Sequence, residues 1–155
     1  MAARKPRPRR GDRALRSAAK TVAYEFHMLQ GSYLLLQLCR NAPHSPRRAL
    51  LNNLALETFL LHARALRDFF TETPYPDDVL AADFLPVRLR LRFPILGRSA
   101  VRERINKLLA HPSYARPRLR RAWQIHEMYQ EVCTAWETFL HCLEGHSTAM
   151  RSWFP

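Results

Sequence analysis

The sequence has few glycines. Four Gly residues occur among 155, and Val, Ile and Thr are also infrequent, so residue types that favour turns and strands are scarce. Leu, Ala, Arg and Glu are abundant instead, and these residues favour helices. With 155 residues and 47% hydrophobic content, the chain has the size and composition of one globular domain with its own core. The composition therefore predicts an all-α domain.

Lysine is nearly absent, whereas arginine is abundant. Three Lys accompany 22 Arg, and the formal net charge is +12. Residues 1–20 alone hold eight basic side chains against the single acidic residue Asp12. The arginine excess has two interpretations, the codon bias of a GC-rich genome or selection for phosphate binding. Under either one, a surplus of guanidinium groups favours polyanionic partners such as RNA.

Patterns of metal ligands are also lacking. The three cysteines form no CxxC pair and no Cys-His spacing typical of zinc; they are Cys39, Cys133 and Cys142. We expect them to be reduced thiols packed in the helices of a cytoplasmic protein. Asp77, Asp78 and Asp83 cluster without histidine partners, which is more typical of turns and caps than of a metal-dependent hydrolase. The sequence predicts neither a metal nor a cofactor.

Long apolar runs are missing too. The most apolar stretch, VAYEFHMLQGSYLLLQLC, is interrupted by polar residues including Glu25 and Gln30, so no transmembrane helix is expected. The arginine-rich first residues lack the hydrophobic segment of a secretory signal, and Pro6 and Pro8 argue against an amphipathic mitochondrial presequence. These features predict a cytoplasmic protein with no membrane contact.

Apolar residues recur at steps of three and four in four segments, which predicts four main helices. The segments are about 12–40, 47–72, 99–111 and 117–143. Residues 73–98 contain several prolines and form an irregular insertion between the second and third helices. The predicted fold is thus an antiparallel bundle over residues 13–143, with a basic disordered tail at 1–12 and a C-terminal tail at 144–155.

Finer details of the helices can also be predicted. Asp12, Ser45 and Ser99 are candidate N-caps, and Gly31 marks a bend or a close helix contact in the first helix. In the second helix, Leu50, Leu54, Leu61 and Ala65 give one face of a broad apolar surface, which we expect to be buried between several partners. The residues that widen this face are Leu51, Leu56, Phe59, Leu60, Ala63 and Leu66. Within the insertion, DDVLAADF is expected to form a short helical turn, and VRLRLRF an extended segment against the bundle wall.

Arg104 and His111 are the candidate catalytic pair. Seven residues at about 100° each return to nearly the same side of a helix, so both side chains could line one groove. A histidine can transfer protons, and an arginine can stabilise the charge that develops on a phosphate during metal-independent RNA cleavage. The alternative is a helix-end histidine favoured by the helix dipole, because chance produces similar spacings, as with Arg120 and His126.

Three segments, NNLALETFLLHARALRDFF, DDVLAADFLP and RERINKLLAHPSYAR, resemble the HEPN superfamily of small helical-bundle proteins. The resemblance covers roughly residues 20–143 and includes the signature of an Arg, four to six intervening residues and a His. It implies a homodimer in which two such helices build a composite ribonuclease site. In this sequence it points to Arg104 as the phosphate ligand, His111 as the general acid and base, and Asn106 as an accessory polar residue.

Lys107 and Glu57 are further accessory candidates. Lys107 lies between Arg104 and His111, and a Glu57 carboxylate on a wide apolar face requires a partner, for which Arg64 or Arg104 would serve. That contact is either a structural salt bridge or one that orients Arg104. His62 is expected to be a half-buried, hydrogen-bonded histidine without a functional role.

Two functions follow as hypotheses. The first is a metal-independent endoribonuclease of the toxin or defence type, acting as a homodimer, with RNA as substrate and an antitoxin protein as a further partner. The second is a non-catalytic HEPN-like helical module that binds RNA, a nucleotide or a protein. Two features favour the second hypothesis: Ile105 displaces the polar residue Asn106 by one position, and Pro112 directly follows His111.

Overall fold

The computed structural model describes residues 10–71, 75, 77–86, 89, 91–110 and 122–154. Over these residues the chain is a bundle of five helices and contains no β-strand, so the predicted all-α class is confirmed. The helices are α1 (Asp12–Asn41), α2 (Pro46–Phe70), α3 (Ser99–Ala110), α4 (Ile125–His146) and α5 (Thr148–Arg151), with a short 3-10 turn at Ala81–Asp83. That turn confirms the helical turn expected within DDVLAADF.

Helices α1 and α2 form the most extensive helix pair. Their connection ends at Ser45, whose hydroxyl accepts a hydrogen bond from the Arg48 amide at 3.1 Å, so the predicted N-cap of α2 is confirmed. The predicted cap of α1 is wrong by one position. Gly11 occupies the cap, and Asp12 lies in the first turn, where its carboxylate faces the positive end of the helix dipole.

Two other boundaries differ from the prediction. Helix α4 begins at Ile125 rather than near residue 117, because 122–124 are not helical; 117–121 lie outside the described residues. At the start of α3, the Arg98 carbonyl accepts from the Val101 and Arg102 amides at 3.1 and 3.0 Å. Arg98 therefore occupies the position before the helix that was predicted for Ser99.

The centre of the core is a cluster of aromatic rings around Phe139 of α4. Ring contacts with centroids 5.1 to 6.2 Å apart join it to Phe69, Phe70, Phe84, Trp136 and Phe154. Most of these contacts are edge-on, the arrangement that the charge distribution of aromatic rings favours. Phe154 is only 1% exposed, so the segment predicted as a C-terminal tail supplies a central core residue.

Only part of the broad apolar surface predicted for α2 is buried. Leu50, Leu54 and Leu61 are 59%, 52% and 50% exposed. The buried apolar residues of this helix are Ala55, Phe59, Leu60, Ala63, Leu66, Phe69 and Phe70. Apolar residues surround much of α2, so its sequence offers several candidate faces, and the tertiary packing selects the one that carries the aromatic side chains.

The last part of the insertion is held between α2 and α4. The Glu131 carboxylate of α4 accepts hydrogen bonds from the amides of Ile95 and Leu96 at 2.6 and 3.0 Å. Arg67 of α2, which is 5% exposed, donates to the Leu96 carbonyl at 3.2 Å. These contacts satisfy the polar backbone of the turn that leads into α3, so α3 starts at a defined place on the bundle.

The extended segment before this turn partly follows its predicted alternation. Leu89 and Leu91 are half-buried against the core, and Phe93 is buried. These described residues are neither helical nor part of a strand. Leu89, Leu91 and Phe93 therefore pack against the bundle, whereas residues 87, 88 and 90 of the predicted segment lie outside the described residues.

Gly97 and Gly31 are predicted to respond oppositely to replacement by alanine. A Cβ at Gly97 would lie 2.5 Å from the Phe93 carbonyl oxygen, so Gly97→Ala is expected to lower the free energy of unfolding by about 2 kcal/mol. A Cβ at Gly31 would meet nothing within 4 Å, so the predicted close contact is absent there. Gly31→Ala should stabilise the chain by about 0.5–1 kcal/mol through helix propensity. Urea unfolding of both variants measures the difference, and a stabilising Gly97→Ala would contradict this account.

Candidate functional site

Arg104 lies where α3 meets the segment that precedes α4. Its guanidinium carbon is 3.6 Å from the centroid of the Trp123 ring, and its Nη1 lies 3.5 Å from the Ala122 carbonyl oxygen, to which it donates. A guanidinium over an indole is a favourable cation–π stack, which restricts the arginine to one orientation. One flat face of Arg104 is thus used within the protein, Nη1 is engaged with Ala122, and Nε is buried.

His111 and Pro112 lie outside the described residues, so the predicted pairing of Arg104 with His111 remains a prediction. Helix α3 is described as far as Ala110, the residue directly before His111. The helical segment that should carry both residues therefore extends to the position next to the histidine.

The accessory candidates lie on two helices. Asn106 and Lys107 are exposed on α3, and Glu57 is half-buried on α2. Lys107 Nζ is 2.6 Å from Glu103 Oε1, and this hydrogen bond lowers the pKa of the Glu103 carboxyl. Arg64, one predicted partner of Glu57, has its Nε 3.8 Å from Asp68 Oδ2.

His62 is hydrogen-bonded, as expected, and it is buried rather than half-buried. Its Nδ1 donates to Glu25 Oε2 at 2.7 Å, which links α2 to α1. The Tyr24 ring packs edge-on against the imidazole.

His126 lies in the first turn of α4, three residues after Trp123. Its Nδ1 and the Tyr33 hydroxyl of α1 are 2.7 Å apart and share a hydrogen bond. The Tyr33 ring is stacked on Tyr129, with centroids 4.0 Å apart and planes inclined by 2°. We name Tyr33, Arg104, Trp123, His126 and Tyr129 the α4-start cluster, which consists of two contacting groups near the start of α4. Arg104 contacts Trp123, and Tyr33 contacts both His126 and Tyr129. Sequence reasoning missed it because its members come from three distant parts of the chain, and no local spacing connects them.

Burial and hydrogen bonding change the acidity of two groups in the first half of α4. Desolvation and a hydrogen bond to Cys133 raise the pKa of Tyr129 from its ordinary value near 10 to about 12. Desolvation also raises the pKa of the Cys133 thiol, with a smaller contribution from the negative charge of Glu137. Both groups are therefore neutral at physiological pH, and Cys133 is a poor nucleophile.

Tyr129 is predicted to ionise only near pH 12. In the unfolded chain its proton is released near pH 10, so stability from this group is present below pH 10 and is lost as pH rises to 12. Spectrophotometric titration of the phenolate absorbance should show one late-titrating tyrosine, and Tyr129→Phe should remove that step alone. If the late step persists in Tyr129→Phe, the assignment is wrong.

Positive charge is concentrated in two segments. Residues 1–20 and 98–121 together hold 16 of the 25 basic side chains and only two of the 13 acidic ones. The remainder of the chain has nine basic and 11 acidic side chains, so it is slightly acidic. The second segment includes all of α3, on which Arg102 and Lys107 are exposed. Among the described residues of the second segment, Arg98, Arg102 and Lys107 lie on or directly before the helix that carries Arg104, and residues 111–121 lie outside the described residues.

Within the described residues, no group of His, Cys, Asp and Glu side chains has the arrangement of a metal site, and no helix is long and apolar enough to cross a membrane. Comparisons of the chain with protein-family models, with curated proteins and with solved structures find no match in any of the three. Functional inference therefore rests on the chemistry of the chain itself.

Proposed function

We propose that the chain is a helical module that binds RNA through the basic segment containing α3. The observation that carries the proposal is the exposed basic side of α3 beside the Arg104–Trp123 stack. Arg102 and Lys107 lie on that exposed side, and the segment 98–121 holds eight basic side chains and one acidic one. Neutralising phosphates releases counterions from RNA, which makes such a surface a source of affinity at moderate salt.

The α4-start cluster would complement this charge. Trp123 holds Arg104 in one orientation, so the positive charge of its guanidinium is fixed close to the exposed Arg102 and Lys107 of the same helix. His126 is exposed beside Tyr33, and flat side chains of this kind offer faces on which unpaired bases stack. Single-stranded RNA presents both phosphates and unpaired bases, and we propose it as the ligand class.

RNA binding is tested by fluorescence anisotropy with a labelled single-stranded RNA over a series of salt concentrations. We expect Arg102→Gln combined with Lys107→Gln to weaken binding on the order of tenfold, and to reduce the slope of log K against log salt by about 1 to 2. Arg40→Gln combined with Arg47→Gln is the matched control, because it removes two exposed positive charges outside the basic segments. Equal losses for the two pairs would mean that only net charge matters, which would contradict the proposed surface.

A metal-independent endoribonuclease of the toxin or defence type is the second candidate. The observation that favours it is the single helix α3, which holds Arg104 and is described as far as Ala110, the residue before His111. In this mechanism, His111 takes the proton of the RNA 2′-hydroxyl, the resulting oxygen attacks the adjacent phosphorus, and Arg104 stabilises the negative charge on the phosphate oxygens. The 5′-oxygen leaves with a proton, and a 2′,3′-cyclic phosphate remains.

For this ribonuclease, the HEPN resemblance implies a second copy of the chain and an antitoxin protein as partners. The active form would be a homodimer with a composite site, and an antitoxin protein would inhibit it. Asn106, Lys107 and Glu57 would support the pair, with the exposed Asn106 and Lys107 contacting the substrate and Glu57 orienting Arg104 from α2.

Cleavage is tested with labelled RNA in EDTA, followed by analysis of the product ends. An active enzyme should leave cyclic phosphate ends, and His111→Ala should abolish cleavage while RNA binding persists. His141→Ala serves as the matched control because it removes an exposed histidine of α4 that has no part in the proposed site. Binding without cleavage by the parent protein would leave the non-catalytic module as the function, whereas cleavage that survives His111→Ala would exclude the assigned pair.

A further inference from the structure

Six leucines on the α1–α2 pair are exposed to solvent. Their exposed fractions lie between 38% and 60%, and they are Leu34, Leu38, Leu50, Leu51, Leu54 and Leu61. We name this set the leucine surface. The first buried residue of α2 is Ala55, so the first nine residues of that helix extend beyond the core. An isolated exposed leucine is ordinary in a soluble protein, but a group of this size on two adjacent helices indicates a contact surface.

These leucines lie at matching levels of the helix pair. Glu25 of α1 contacts His62 of α2, and the two helices run in opposite directions from their short connection. Along the helix axes, Leu38 lies about as far from that contact as Leu50 does, and Leu34 about as far as Leu54. On α2, Leu54 follows Leu50 by four residues and Leu61 follows Leu54 by seven, so the three lie on one face.

The two helical stretches that carry most of this surface contain no Lys, Arg, Asp or Glu. They are residues 28–39 of α1 and residues 49–56 of α2, within a chain whose net charge is +12. Two identical positively charged molecules repel each other, so contact through a surface of low charge density has the smallest electrostatic cost. The leucine surface is bordered by Arg40, Arg47 and Arg48 but is itself uncharged, and it is less basic than α3 or the first 20 residues.

We infer that the leucine surface binds the same surface of a second copy of this chain. The six leucines together expose on the order of 600 Å² of apolar area. A standard protein interface buries roughly 800 Å² per partner, which the leucines and the residues around them would together approach. Because the same residues would meet in both copies, a twofold axis closes the pair, and two α1–α2 pairs form an intermolecular four-helix layer.

The inference goes beyond the proposed RNA binding and names the surface through which a dimer forms. It assigns self-association to α1 and α2, whereas the RNA surface is assigned to α3. A second copy would then carry a second α3 segment on the same particle, which adds a second RNA contact and increases binding through effective concentration. Self-association and RNA binding can therefore be lost separately by different substitutions.

The test is the molar mass of the full chain by sedimentation equilibrium, over protein concentrations from micromolar to millimolar. We expect twice the 18.2 kDa of one chain. Leu38→Glu and Leu54→Glu should each raise the dimer dissociation constant at least tenfold, because each places like charges in the interface. Gln130→Glu on the exposed surface of α4 is the matched control and should leave the dissociation constant within about twofold.

Circular dichroism of each variant establishes that the helices remain, since the replaced leucines are 60% and 52% exposed. Leu38→Ala and Leu54→Ala together provide a second test without added charge and should also weaken the dimer. A monomer at all concentrations, or a dimer that resists all of these variants, would overturn the inference. A monomer that binds anionic vesicles through these leucines would assign the surface to a lipid partner instead.

Discussion

Phe139→Ala is expected to lower the free energy of unfolding by about 4 kcal/mol. Phe139 is fully buried at the centre of the aromatic cluster, where its ring contacts side chains from α2, α4, the insertion and the C-terminal residues. Alanine would leave a cavity at the point where these parts meet, and rigid helices on several sides could not collapse into it.

Urea unfolding followed by circular dichroism measures this effect. Phe139→Leu keeps most of the apolar volume and should lose only about 1.5 kcal/mol. Thr138→Ala, at the exposed neighbouring position, is the control and should change stability by about 0.5 kcal/mol or less. If Phe139→Ala cost no more than Phe139→Leu, the ring would not occupy the centre of a close-packed core.

Arg67→Ala should lower the free energy of unfolding by about 3 kcal/mol. Arg67 is buried, its Nε donates to Asp68 Oδ1 at 3.0 Å, and its Nη1 donates to the Leu96 carbonyl at 3.2 Å. Removing the guanidinium leaves that carbonyl without this donor and detaches the turn before α3 from α2. The effect should therefore extend to α3, with faster hydrogen exchange at its first amides.

Arg64→Ala is the matched control for Arg67→Ala. Arg64 is also an arginine of α2 near Asp68, but its side chain is 40% exposed and its Nε lies 3.8 Å from the carboxylate. Its loss should cost about 0.5 kcal/mol or less, because exposed ion pairs contribute little. Similar destabilisation by the two substitutions would show that the buried bond to Leu96 does not anchor the turn.

The sequence predicts the surface assigned to RNA much better than the surface assigned to a second copy of the chain. The RNA surface follows largely from charge: the arginine excess is visible in the sequence, and α3 exposes Arg102 and Lys107 as a helical pattern would suggest. The leucine surface could not be anticipated. From the sequence, Leu50, Leu54 and Leu61 belong to the core, since burial of large apolar residues is the default expectation.

The contacts of Arg104 and His126 also join residues that are distant along the chain, so the sequence did not predict them. Its position on a helix was predictable from the apolar spacing of Val101, Ile105 and Leu109. Its stack on Trp123 was not, because 19 residues separate the two and part of that segment was predicted to be helical. The bond between His126 and Tyr33 joins positions 93 residues apart, which no local pattern encodes.

The sequence alone determined the helical class, the cap at Ser45 and the basic character of the chain. Each of these depends on residues close together along the chain, such as periodic apolar positions, a serine before a proline, or a sum of charges. The tertiary structure decided which face of α2 is buried, that Arg67 and Glu131 hold the turn before α3, and that Trp123 orients Arg104. Those outcomes depend on how whole helices pack, and an apolar or polar residue with several candidate partners does not specify which one it meets.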